Sequence, residues 1–90
     1  MERVHVIFRG RVQGVWFRAN CQKKAVSLDL KGWVKNLPDG TVECVAEGPR
    51  KDLELFVEWC SNNQPMAKVT GTDLYWEVQT GEFREFRIIR

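Results

Sequence analysis

The stretch GRVQGVWFR, Gly10 to Arg18, places two glycines four residues apart and two arginines within nine residues. It lies between an apolar run, VHVIF, and a segment whose apolar residues recur at helical spacing. A strand–loop–helix junction of this kind exposes peptide N–H groups at the positive end of a helix dipole. Glycines let such a loop curl until successive N–H groups converge. An anion of phosphate size fits that bend, and Arg18, in the first helical turn, can offer it a forked pair of donors. The spacing is not diagnostic: no Lys-Ser/Thr pair follows, so it is not a nucleotide P-loop, and GxGxxG is absent. The same residues could form a glycine turn that only reverses the chain, with Arg11 and Arg18 as solvated charges. Residue chemistry alone leaves both readings open.

The elements that must position this loop are legible from periodicity. Residues 3–9 alternate, with Val4, Val6 and Phe8 on one face and Arg3, His5, Ile7 and Arg9 on the other, which predicts a strand. Phe17, Cys21, Ala25 and Leu28 form one stripe of an amphipathic helix. KGWVKN reads as a strand, NLPDGT as a tight turn, and TVECVAE as a second strand with Val42, Cys44 and Ala46 on one face. Together they predict a hairpin over residues 31–47. Gly48-Pro49 opens a second helix, with Pro49 at its first position, carrying Leu53, Phe56, Val57 and Cys60 inward; SNNQP ends it. TDLYWEVQ predicts a strand with Leu74, Trp76 and Val78 facing one way, and EFRIIR a short last strand. The order β-α-β-β-α-β plus a final strand predicts an α+β, ferredoxin-like sandwich: an antiparallel sheet with two helices on one face. That fold hosts many activities and names none of them.

Composition narrows the classes. Ninety residues make one domain, and 43% hydrophobic residues with four tryptophans suit a small, efficient core. A net charge of +2 gives no electrostatic case for wrapping a long nucleic acid, yet it permits a local anion site. Three cysteines, Cys21, Cys44 and Cys60, with no CxxC spacing, argue against a disulfide framework and against zinc. Buried reduced thiols in a cytoplasmic protein are expected. The start, MERVHVIFRG, has neither signal-peptide nor transit-peptide character, and no run reaches membrane-span length, so a soluble protein is expected.

GRVQGVWFR followed by GWVKNLPDGTVE resembles the acylphosphatase family. The first motif resembles that family's phosphate-binding loop, G-x-V-Q-G-V-x-F-R, and the second its strand–turn–strand signature, G-x-V-x-N-x-x-D-G-x-V-E. The similarity runs to the terminal FRIIR, so residues 1–90 read as a single acylphosphatase-like domain. The resemblance implies hydrolysis of acyl phosphates to a carboxylate and inorganic phosphate, with no metal or other cofactor. It carries the family's catalytic arginine to Arg18 and its water-orienting asparagine to Asn36. On that basis the backbone N–H groups of Gln13, Gly14, Val15, Trp16, Phe17 and Arg18 hold the phosphoryl oxygens. The expected partners are a small acyl phosphate and its phosphate product, with no nucleic acid and no membrane; a monomer is expected. Two departures stand out. Leu28-Asp29-Leu30 replaces the usual Leu-Gly-Leu after the first helix, and Gln64-Pro65 replaces Gly-Pro after the second.

Plainer readings cover the remaining candidates. His5 is expected on the surface or under a helix rather than in catalysis. Gln13, Val15 and Phe17 are read as structural, Arg11 as a solvated charge, and Trp33, Trp59 and Trp76 as core or partial core. Trp16 is weighed as an acyl contact. The alternative function is a non-catalytic domain that binds phosphate or carbamoyl phosphate for regulation. The presence of both Arg18 and Asn36 in a chain ending at ninety residues favours a free-standing enzyme. A single-strand RNA binder would need stacked aromatics on the open sheet face and a basic surface, and no RNP-like run is present.

Overall fold

The computed structural model describes residues 1–90. The chain runs β1 (Glu2–Arg11), α1 (Phe17–Ser27), β2 (Lys31–Asn36), β3 (Val42–Gly48), α2 (Arg50–Asn62), β4 (Lys68–Glu77) and β5 (Phe86–Ile89). The strands form one sheet in the order β4-β1-β3-β2-β5. The first four pair antiparallel, as the ferredoxin-like reading expects, while β5 adds alongside β2 in parallel. No helix is long and apolar enough to cross a membrane.

The core lies between the sheet and both helices. Val4, Val6 and Phe8 of β1 point into it, with Val34, Val42, Cys44 and Ala46 from the hairpin beside them. Cys21 and Ala25 of α1 and Leu53, Phe56 and Cys60 of α2 close it from above. Each fully buried Phe, Leu or Val contributes about 1.5–3 kcal/mol of apolar transfer, so the alternating pattern of β1 pins its register. The opposite sheet face carries ion pairs: Arg3 with Glu82 at 3.0 Å, Arg9 with Asp73 at 2.7 Å, and His5 Nε2 with Glu43 at 2.7 Å. His5 therefore sits on the open face, away from the helices.

Four details differ from the periodicity reading. β4 begins at Lys68 rather than Thr72, because KVTG lacks a clean alternation and is ordered by pairing with the far end of β1. The β1–β4 register shifts between Arg9 and Gly10. Gly10 sits at φ 115°, and a Cβ there would run into the Lys68 carbonyl oxygen. This glycine serves close strand approach at a bulge. Val78, expected to share a face with Leu74 and Trp76, lies past the end of β4 and is 88% exposed. Pro49 takes the N-cap position of α2, and Arg50 is the first helical residue.

The departure at residues 28–30 has a clear structure. Leu30 N–H donates to the Ala25 carbonyl at 2.9 Å and Asp29 N–H to that of Val26 at 3.0 Å. These are the two bonds of a Schellman motif, and Leu30 and Ala25 share the core as its hydrophobic contact. Asp29 occupies the left-handed position at φ 56°, where glycine is unstrained. Its carboxylate bonds Lys31 Nζ at 2.7 Å, which holds its pKa below the ordinary aspartate value. The other departure, Gln64, is buried, and its Nε2 donates to Cys21 Sγ at 3.4 Å. Asp29→Gly is expected to raise Tm by about 4 °C, read by thermal unfolding, since the backbone relief exceeds one exposed ion pair.

Candidate functional site

Antiparallel pairing of β1 with β3 and of β3 with β2 makes β1 and β2 run in the same direction, and β5 runs with them. Their C-terminal ends therefore meet at one edge of the sheet. The loop of residues 12–16 follows β1, Asn36 closes β2, and Ile88 to Arg90 end the chain beside them. Between them lies a cleft of about 360 Å³, lined by Gly14, Trp16, Arg18, Ala19, Asn36 and Arg90 over buried Val12 and Phe17, with Ile88 beside them. The structure thus brings Arg18 and Asn36 to one cleft from positions eighteen residues apart in sequence.

The loop is shaped by alternating burial. Val12, Val15 and Phe17 are buried, while Gly14 and Trp16 are exposed. Phe17 packs edge-on against Phe8, ring centroids 5.0 Å apart, which fixes where α1 starts. Gly14 adopts φ 74° with open space around its α-carbon, so its need is for the left-handed backbone itself. Trp16 adopts the same region, at φ 64° and ψ 16°, as the N-cap of α1. A tryptophan there is strained. No side chain caps the helix, and its first turn has no acidic residue. The N–H groups of that turn have no intrahelical acceptor, so the positive end of the dipole is left for a ligand.

Arg18 is half-buried beside this turn. One Nη donates to the Ile89 carbonyl at 3.4 Å, a long bond, and no carboxylate pairs with the guanidinium. Asn36 is also half-buried, and its Oδ1 is shielded from solvent with no hydrogen-bond partner in the protein. A shielded acceptor without a donor is costly, so a site with a bound donor is favoured there. Arg11 is exposed and makes no ion pair, as a solvated charge does.

Gln13 holds the two halves together. Its Nε2 donates to the Leu37 carbonyl at 2.8 Å and to the Thr41 carbonyl at 2.9 Å. These flank the turn between β2 and β3, which is closed by Leu37 N–H to Thr41 at 2.9 Å and Gly40 N–H to Leu37 at 3.1 Å. Asp39 accepts from Thr41 Oγ1 at 2.6 Å and from Thr41 N–H at 3.0 Å. Those bonds hold the Asp39 carboxyl below the usual carboxylate range. Asn36 therefore stands at the base of a stiff turn, tied directly to the glycine loop.

The lining includes no His, Cys, Asp or Glu side chain, the residues that serve as general bases, nucleophiles or metal ligands. All three cysteines are free and buried in the core, where burial pushes the Cys44 and Cys60 thiols up. Of the residues named from the sequence, Gly14, Trp16, Phe17, Arg18 and Asn36 line the cleft, while Gln13 and Val15 do not. Sequence reasoning did not find Ala19, Ile88 or Arg90 on the lining, nor the target of the Gln13 side chain. A long polar residue between Val12 and Gly14 was the available signal for the bridge, but its acceptors are backbone carbonyls that no residue type announces.

Residues 4–88 match the family model described as Acylphosphatase. An acylphosphatase of Methylococcus capsulatus is 52% identical over 90 residues, covering 100% of this chain and 98% of that one. The crystal structure of acylphosphatase from Bacillus subtilis matches with a TM-score of 0.95 at 41% identity, covering 100% of both chains. A T. kodakarensis HypF structure matches with a TM-score of 0.85 at 32% identity; all of this chain is covered, but only 12% of that one. With the loop, the hairpin, the sheet order and full-length similarity in agreement, the chain belongs to the acylphosphatase family.

Proposed function

We propose that the acyl phosphate hydrolysis this family membership gives the chain proceeds by direct attack of water, with Arg18 and Asn36 as its catalytic residues. An acyl phosphate is an activated mixed anhydride, and its leaving group is a weakly basic carboxylate. Acid assistance is unnecessary. What must be overcome is the approach of neutral water to a negatively charged phosphoryl group and the charge on its equatorial oxygens. Positioning and electrostatics carry such a reaction.

The uncapped start of α1 and the loop from Gln13 to Arg18 bind the phosphoryl oxygens through peptide N–H groups. The Arg18 guanidinium, free of any carboxylate, binds two oxygens through its fork and supplies the positive charge that a metal ion supplies in other phosphoryl transfers. Asn36 accepts a hydrogen bond from the attacking water and holds it in line. The observation that carries this role is the shielded, unpartnered Asn36 Oδ1 in the same cleft as Arg18. An amide is too weak a base to take the proton. The water oxygen forms the new P–O bond as the bridging oxygen leaves with its electron pair on the carboxylate. The proton passes to a non-bridging phosphoryl oxygen, giving inorganic phosphate.

A monomer is proposed, since Arg18, Asn36 and the glycine loop already meet in one cleft within a single chain. Three free thiols suit a reducing cytoplasm. On the open sheet face Arg3, Arg9 and Lys35 are each paired with a carboxylate, which leaves little positive field for RNA. Turnover of acetyl or benzoyl phosphate by the purified protein separates the enzyme from a regulatory phosphate-binding domain, which would bind and not hydrolyse.

Arg18→Ala and Arg18→Lys are both expected to abolish measurable turnover, because an ammonium lacks the planar fork; near-normal steady-state kinetics in either variant overturns the assignment. Asn36→Ala should lower kcat by about 10²- to 10³-fold while the inhibition constant of inorganic phosphate changes little. Equal losses in both would make Asn36 an anion ligand. Gln13→Ala removes two hydrogen bonds and should cost about 2 kcal/mol in urea unfolding and lower kcat short of abolition; unchanged stability would show that the bridge is not formed in solution.

A further inference from the structure

The protein has four tryptophans, and three of them are engaged. Lys35 lies over Trp33, Lys24 over Trp59 and Arg50 over Trp76, and Trp59 and Trp76 also pack against the core. Trp16 has neither kind of partner and is 75% exposed. It also holds a left-handed backbone that a bulky side chain avoids. Folding gains nothing visible from it: the neighbouring Val15 and Phe17 provide the anchoring. A strained, bare aromatic ring on the lip of a catalytic cleft points to a ligand surface.

From this we infer that Trp16 determines specificity: its indole is the platform for the acyl group, and the cleft selects aromatic or extended apolar acyl phosphates over acetyl phosphate. The inference rests on the catalytic reading above. Once the phosphoryl group is on the loop and Arg18, the acyl end must project toward the remaining lining. That lining is Trp16 together with Ala19 and Ile88, all apolar, with Arg90 as the one further charge. A planar acyl group can lie on the indole, removing apolar surface of both from water. An acetyl group reaches too little of that surface to gain from it. The backbone N–H of Trp16 serves every substrate alike, whereas its side chain serves only large ones, so the two roles separate in a ratio.

The test compares kcat/KM for benzoyl phosphate and acetyl phosphate in the wild type, Trp16→Ala and Trp16→Phe. Losses common to both substrates cancel. The benzoyl-to-acetyl ratio is expected to fall by about fivefold or more in Trp16→Ala and to recover largely in Trp16→Phe. A ratio within twofold of wild type in Trp16→Ala overturns the inference and leaves the catalytic reading standing. A wild type that hydrolyses neither compound overturns the catalytic reading and this one with it. If Trp16→Ala is too slow to assay, the same ratio is read from binding of the two matching phosphonates, in which CH2 replaces the bridging oxygen.

Discussion

A helix that begins without a cap leaves several peptide N–H groups with no internal acceptor, and that deficit organises this molecule. Most helices answer it with a Ser, Thr, Asp or Asn side chain at the N-cap. Here the position belongs to Trp16, which offers no acceptor, and the first turn carries Arg18 instead of an acidic residue. Positive potential therefore accumulates at one end of α1. Such an arrangement costs stability when the helix end is left unpartnered and favours an anion there.

Holding that turn in place falls to apolar packing and to one amide. Phe17 against Phe8 sets the height of α1 above the sheet, and buried Val12 and Val15 fix the loop on either side of Gly14. Gln13 then spans to two carbonyls of the β2–β3 turn. Because the turn is further closed by Asp39 and Thr41, the base on which Asn36 stands is rigid. The loop side and the hairpin side of the cleft are thus joined by short hydrogen bonds, with no charge pair between them.

Much of this was legible in the residues. Period-two and helical stripes located β1, α1, β3, α2 and most of β4, since Val4, Val6 and Phe8 or Leu53, Phe56 and Val57 announce a buried face locally. Local reading failed where a partner distant in sequence set the outcome. The first residues of β4 are a strand only because β1 extends past its bulge to meet them. Val78 continues an alternation that pairing no longer supports. The two loop glycines looked like one device and are two: Gly10 admits the β4 backbone, while Gly14 supplies a positive φ.

The residue order by itself determined the type of fold, the apolar core, the family and the identity of Arg18 and Asn36 as candidates, because these depend on composition and spacing along one segment at a time. Only the tertiary structure decided that the ends of β1, β2 and β5 share an edge, that Gln13 reaches the hairpin carbonyls, and that Trp16 alone among the tryptophans is left bare beside the cleft. Those facts depend on which strands pair and in which direction. Pairing is a choice among distant backbones, made by the burial of the whole core at once.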